Sequence, residues 1–346
     1  MNAKKIQPIK LLPMKNKICL SVLLVAFIIC NTQAQTVRRV SNAVGAGAPY
    51  TTIQAALTAA SNGDIILVEG SPTNYAGAIS ITKQVTIQGP GYLLDQNTGM
   101  QANLYDAVAV ATISFDAGSA GSIIRGMKTS SIDINTSNIT VSNNYIAGGS
   151  VDMNTGSNNI VISGNYLLNA IIRSFSNMTS LLIANNYAGG GISFSLSLTT
   201  LAVVSNNIIA AGGTNFYLQN STIVNNIFLT AGTAIGETLN STIQNNVFVS
   251  ASQTGADATN VFGATASSLF VGLAGYTTDT QWKLKAGSPA IGAGVGGTDC
   301  GMYEVNNPPY KISGIFTGQP TINNFTTPGT VPANGTLNVK VSAKVN

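Results

Sequence analysis

The chain has 346 residues, of which 45% are hydrophobic and only 8% charged, against about 25% charged in an ordinary soluble protein. Of its 16 Lys and Arg, Lys4, Lys5, Lys10, Lys15 and Lys17 precede residue 35; the other 11 face 12 acidic residues, which leaves the rest of the chain near −1 and excludes a basic nucleic-acid-binding surface. There is no His, which excludes Ser-His-Asp and Cys-His triads and His-based metal sites.

Residues 18–29, Ile-Cys-Leu-Ser-Val-Leu-Leu-Val-Ala-Phe-Ile-Ile, form an apolar run of 12 behind Lys15 and Lys17 and ahead of Thr32-Gln33-Ala34. A basic start, a short apolar core and small residues at the cut predict a secretory signal over residues 1–34, with Met14 as an alternative start. The run is shorter than the roughly 20 residues that span a bilayer, so no transmembrane segment is expected once the signal is removed. Cleavage after Ala34 leaves Cys300 as the one cysteine and no internal disulfide. Cys30 offers a lipoprotein alternative, against which the bulky Ile29 stands. The expected location is secreted, extracellular or on the outer cell surface.

Further along, Ile53, Ala56, Leu57 and Ala60 share one helical face, and Thr51 or Thr52 can cap the start of that helix. Then a repeat takes over. Asn144, Asn165, Asn186, Asn207, Asn226 and Asn246 are spaced by 21, 21, 21, 19 and 20 residues, each behind Asn or Gly and ahead of Tyr, Ile or Val. Short β-rich runs such as 138–142, 160–163, 181–184 and 201–204 precede these Asn pairs. A period near 20 predicts a solenoid in which each coil buries its apolar face against its neighbours. Asn tolerates the left-handed backbone of a sharp corner, and its amide can bond its counterparts in adjacent coils. The following Tyr, Ile or Val is expected to point inward and stack in the core. The helix at 53–60 is expected to cover the open edge of the first coil.

Two stretches carry a family resemblance. Residues 50–91 contain YTTIQAALTAASNGDIILVEG and then ISITKQVTIQGPG, and residues 282–304 read WKLKAGSPAIGAGVGGTDCGMYE. The first resembles the start of right-handed parallel β-helix proteins of the pectin lyase-like superfamily, with capping helix, Gly-Asp turn (Gly63-Asp64) and apolar strands. The second is similar to a last coil of that type. The resemblance covers roughly residues 45–304 and implies a right-handed parallel β-helix; with the repeat this makes an all-β domain over 35–304, of roughly ten coils counted over 85–300 at ~20 residues each, followed by a β-tail over 305–346. In the tail, Leu337, Val339 and Val341 alternate with polar residues as in a strand, either docked on the helix or serving attachment. The superfamily holds lyases, hydrolases, esterases, epimerases and non-enzymes, so fold does not fix activity.

Polygalacturonase-like Asn-Thr-Asp, Asp-Asp and Gly-His-Gly clusters are absent, and Phe115-Asp116 is only a reversed echo of a methylesterase-like strand. Pectate lyases hold Ca²⁺ with several acids and use Arg or Lys as base. The one counterpart is Asp133, Asp152 and Arg173, spaced by 19 and 21, the coil period, and so expected to stack facing outward on adjacent coils. One reading makes Arg173 a catalytic base, with Asp133 and Asp152 binding substrate and Ca²⁺; the other is a surface ion pair with no cofactor. Glu237, Asp257 and Asp279 read as lone solvated charges and Asp299 as a turn cap. The functional expectation is a secreted or surface β-helix that binds a polysaccharide or cell-envelope component without catalysis; the alternative is a Ca²⁺-dependent lyase on acidic, uronate-containing glycan.

Overall fold

A computed structural model describes residues 35–194, 200–211, 217–232, 235–236, 238–272, 279–303, 310–328, 330 and 333–345. The signal region with Met14 and Cys30, and Glu237, lie outside the described residues. Val37–Asn346 forms one compact unit.

This unit is an all-β parallel solenoid. Three faces run along it: a ten-strand sheet from Val37–Val40 to Thr242–Gln244, an eight-strand sheet from Val108–Ala109 to Val247–Phe248, and a six-strand sheet from Ile79–Ile81 to Ile192–Phe194. Register follows the sequence repeat: Ile139 pairs with Ile160, Ile160 with Leu181 and Leu181 with Ala202. Period-two alternation sends Ile139 and Val141, Ile160 and Ile162, and Leu181 and Ile183 into the interior, where parallel strands about 4.8 Å apart stack like on like.

The Asn-Asn-apolar triplet divides its labour more finely than the sequence suggests. The first residue takes the left-handed backbone: Asn143, Asn185, Asn206, Asn225 and Asn245 have φ of 53–59°, and Gly164 takes 67° in the same place. The second is fully buried and builds the ladder. Asn186, for example, donates to Asn207 Oδ1 (2.9 Å) and to the Ile162 and Ala184 carbonyls (2.9 and 3.0 Å), and its own Oδ1 accepts from the Asn165 backbone N–H at 2.9 Å. The ladder runs from Asn144 to Asn246 and ends on Asn260, only 14 residues further on. The third residue faces out of the coil, not in. Tyr145, Tyr166 and Tyr187 stack in register with ring centroids 5.6 and 4.8 Å apart, but in a second apolar cluster, while the next residues (Ile146, Leu167, Ala188) enter the interior.

That outward stripe is buried because the chain returns over it. After Asn260 coiling stops. Phe262 stacks on Phe248 (5.3 Å), then Trp282 on Tyr187 (4.4 Å). Next, Gly301 donates to the Asn225 carbonyl (2.7 Å), and finally Tyr92 donates to the Ser313 carbonyl (2.9 Å). The solenoid therefore has about eight turns, fewer than the sequence count of ten. That count treated residues 261–300 as further coils, whereas they form part of a cover on the eight-strand face. The stretch 282–303 lies across the corners rather than forming a stacked turn: Val295 donates to Asn225 Oδ1 (2.8 Å) and Asn245 donates to the Ala293 carbonyl (3.0 Å).

The N-terminal helix α1 is Ile53–Ala59, with Thr52 capping Ala55 N–H at 3.2 Å and Ile53, Ala56 and Leu57 buried, as the pattern predicts. A strand at Val37–Val40, which the sequence pattern did not reveal, adds to the ten-strand sheet, and its Arg38 and Arg39 pair with Asp64 and Glu69 (both 2.7 Å) one coil on. The tail is an antiparallel pair, Pro320–Thr326 with Lys340–Val345. Among the described residues no helix is long and apolar enough to cross a membrane.

Candidate functional site

The six-strand face brings together the three residues singled out in the sequence. Ile132–Ile134, Ser150–Met153 and Ile171–Ser174 pair in register, so that Asp133, Asp152 and Arg173 sit directly opposite one another, with Ser114 before and Ser193 after them. Ile132, Ile134, Val151, Met153 and Ile172 fill the interior, which forces the intervening residues outward.

Arg173 grips Asp152 with a two-pronged ion pair, Nε–Oδ1 2.8 Å and Nη2–Oδ2 2.7 Å, and donates again to Ser150 Oγ at 3.0 Å. Its guanidinium lies 5.5 Å from the centre of the exposed Phe175 ring. The hydrogen bond that Arg173 donates to Asp152 pushes the Arg173 pKa up; a guanidinium held in this way gives up its proton less readily than a free one. Asp133 accepts no hydrogen bond from the described residues. Partial burial, then the Asp152 charge, raises its pKa, and Arg173 opposes the rise.

A second row, which the sequence reading passed over, runs beside the first. Asp116 accepts from Ser80 Oγ (2.6 Å), Ser114 Oγ (2.8 Å) and Asn135 Nδ2 (2.9 Å), and Asn154 Nδ2 reaches Asn135 Oδ1 at 2.8 Å. These bonds, that from Ser80 foremost, lower the Asp116 pKa. The signal was legible: Asp116, Asn135 and Asn154 are spaced by 19 and 19, the coil period. It was missed because Asp116 was compared with a remote strand motif and not with the repeat.

Ca²⁺ takes six to eight oxygens at 2.3–2.6 Å. Here both Asp152 oxygens are occupied by Arg173, leaving Asp133 as the one unengaged carboxylate of the pair, and among the described residues no group of three or more acidic or thiol ligands could hold a metal. The residues present do not fit a Ca²⁺ cage, and no chemical step is derived through one.

The other singled-out acids lie elsewhere. Asp279 is not solvated; it is fully buried within the cover. It accepts from Asn97 Nδ2 (3.0 Å), Tyr310 Oη (2.8 Å) and Ser313 N–H (2.9 Å). Tyr310 gives its proton to this carboxylate, so the 2.6 Å contact between Tyr92 and Tyr310 hydroxyls is donated by Tyr92. Burial raises the Asp279 pKa, against the lowering effect of these bonds. No sequence pattern marks this position as interior, because its partners lie 31–182 residues away. Asp257 is exposed and caps its own turn at Thr259 N–H (2.9 Å), and Asp299 accepts from Gly292 N–H (2.9 Å) as a turn brace.

Comparison of the chain with family models, with curated proteins and with solved structures gave no match.

Proposed function

We propose that this chain is an exported β-solenoid that binds an extended polysaccharide, or another hydroxyl-rich cell-envelope component, along the outer face of its six-strand sheet without cleaving it. The N-terminal helix, the Gly63-Asp64 turn and the parallel coils support a place in the pectin lyase-like superfamily, and the apolar run at 18–29 supports export to the medium or the outer surface. The observation that carries the binding reading is Asp133. It is a half-buried carboxylate that accepts no hydrogen bond from the described residues, in a row whose neighbours are tied to one another. Groups fixed in this way present donors and acceptors at one-coil intervals without paying further side-chain entropy on binding. A sugar hydroxyl donated to Asp133 completes the row, and Phe175 offers a ring face beside it.

The test is affinity electrophoresis of the wild type and Asp133→Ala through gels containing neutral and uronate polysaccharides, with absorbance at about 235 nm followed in parallel, where an unsaturated uronate product absorbs. The reading expects retardation on at least one glycan, about tenfold weaker in the variant, with flat absorbance. A rise in absorbance that vanishes in Arg173→Ala would replace it with the lyase reading. Retardation indifferent to Asp133 would move the binding face elsewhere.

A further inference from the structure

The C-terminal strand pair is amphipathic, and its apolar face is as exposed as its polar one. Pairing sets Ile322 opposite Ala343, Phe325 opposite Val341 and Pro320 opposite Val345, and the irregularity between Ile322 and Asn324 keeps Ile322 and Phe325 on one face despite their odd spacing. On that face Ile322, Phe325, Val341 and Val345 are 50, 56, 52 and 71% exposed. Leu337 and Val339 continue the alternation into the strand, at 55 and 46%. The opposite face carries Lys340, Ser342 and Lys344 against Thr326, Asn324 and Thr321. Thr321 is buried, and Ala102 N–H donates to the Ile322 carbonyl at 2.6 Å, so the root of the pair is fixed to the solenoid while the apolar side chains beyond it stay exposed.

We infer that this face pairs with the same face of a second copy of the chain, in a twofold, sheet-on-sheet contact. Three observations favour a second copy over other occupants. The exposed apolar side chains amount to on the order of 600 Å² per copy, at the top of what a monomer tolerates, and two copies together bury on the order of 1,200 Å², the lower end of a stable interface. The face holds no charge. Both lysines of the strand alternate to the other side, so two copies meet without like charges in contact, whereas an anionic surface would meet the apolar side without them. A two-stranded sheet is also marginal alone, and stacking a second sheet at about 10 Å supplies the missing layer. A self-complementary patch closes as a dimer and does not propagate. This contact is independent of what the six-strand face binds.

The test is sedimentation velocity on the chain from residue 35, which includes the whole compact unit Val37–Asn346, loaded from about 1 to about 100 µM, the range suited to an interface of this size. A dimer should form with rising concentration and be lost in Phe325→Asp, with the thermal midpoint of the solenoid unchanged. As a second measurement, Ala343→Cys should give a disulfide-linked dimer on mild oxidation and Lys340→Cys, on the opposite face, should not; the native Cys300 is fully buried and stays silent. A monomer across the whole range, or a dimer that survives Phe325→Asp and leaves Ala343→Cys uncrosslinked, overturns the inference. So does a monomer that instead sediments with phosphatidylglycerol vesicles, which would assign the face to a lipid surface.

Discussion

Two faces of this solenoid have the same backbone and opposite fates. On the eight-strand face the outward positions from Tyr145 onward are Tyr145, Tyr166, Tyr187, Ile208, Ile227 and Val247, all buried in the cluster that the returning chain completes. On the six-strand face they are Ser80, Ser114, Asp133, Asp152, Arg173 and Ser193, and among the described residues no side-chain hydrogen bond or ring contact from the cover reaches them. Both rows are in register, one residue per coil. A coil repeat fixes where a side chain stands, and the chemistry of that side chain decides whether the molecule must supply a roof. An aromatic side chain brings 150–250 Å² at about 25 cal/mol per Å², several kcal/mol each. A surface ion pair returns about 0–1 kcal/mol. The covered face is therefore where stability is concentrated, and the bare face is free to be spent on recognition.

The strongest way to break this contrast is Trp282→Ala. Trp282 stacks on Tyr187 (4.4 Å), meets Phe270 edge-on (5.2 Å) and donates to Tyr166 Oη at 3.2 Å. Its loss should cost about 3–5 kcal/mol and open residues 261–315 to limited proteolysis while the coils keep their far-UV circular dichroism. If the coils melt with the cover, the two layers are one cooperative unit and the contrast in stability fails. Gly301→Ala is the next largest. Gly301 sits at φ 90°, and a Cβ there would stand 2.7 Å from Ile227 Cδ1. The strained backbone and the clash should cost about 1–3 kcal/mol, seen as an earlier chemical-denaturation midpoint by the fluorescence of Trp282, the single tryptophan of the chain.

A gentler probe of the same roof is pH. Burial raises the Asp279 pKa above its ordinary 3.8, so the folded cover favours the protonated acid. Its contribution is fully present below the unfolded value and is lost as pH rises through the raised folded one. The groups facing it are the hydroxyls of Tyr92, Tyr303 and Tyr310 and the amide of Asn97, with no cation among its hydrogen-bond partners. Partly buried Asp106 acts in the same sense and Asp116 in the opposite one, so the measurement is the difference between wild type and Asp279→Asn. The Trp282 denaturation midpoint of the wild type should rise more steeply on acidification than that of the variant. Parallel slopes would mean that Asp279 does not titrate with the cover.

The coils were legible because their physics is local. The triplet Asn185-Asn186-Tyr187 carries a corner, a ladder rung and an outward ring in three residues, and the 21-residue register follows from the spacing alone. The row Asp133–Asp152–Arg173 was legible for the same reason: alternation and period place each residue without knowledge of the rest of the chain. What could not be read was the direction of Tyr145, Tyr166 and Tyr187. An apolar residue at a corner is expected inside, and only the return of residues 261–315, 116 positions beyond Tyr166 at Trp282, makes the outside equally dry. Asp279 was misread on the same ground. Its sequence neighbourhood is polar, and the roof that buries it is built from Asn97, Tyr310 and Ser313.

The smallest expected effect belongs to the bare face, and it sharpens the comparison most. Arg173 makes the better of the outward ion pairs, yet its side chain remains 40% exposed, so solvent and salt screen the attraction. Arg173→Ala should lower stability by no more than about 1 kcal/mol, a change that thermal denaturation barely resolves, and less still at high salt. The same substitution releases Asp152, which leaves two carboxylates on adjacent coils with no cation on the next one. The two like charges repel, and the row loses its fixed geometry. Glycan retardation should fall by about tenfold while the melting curve hardly moves, and Arg173→Lys should recover only part of it, because an ammonium cannot grip both carboxylate oxygens in one plane. If instead the melting temperature drops as far as in Trp282→Ala, the outward row is structural, and the two faces differ in composition but not in role.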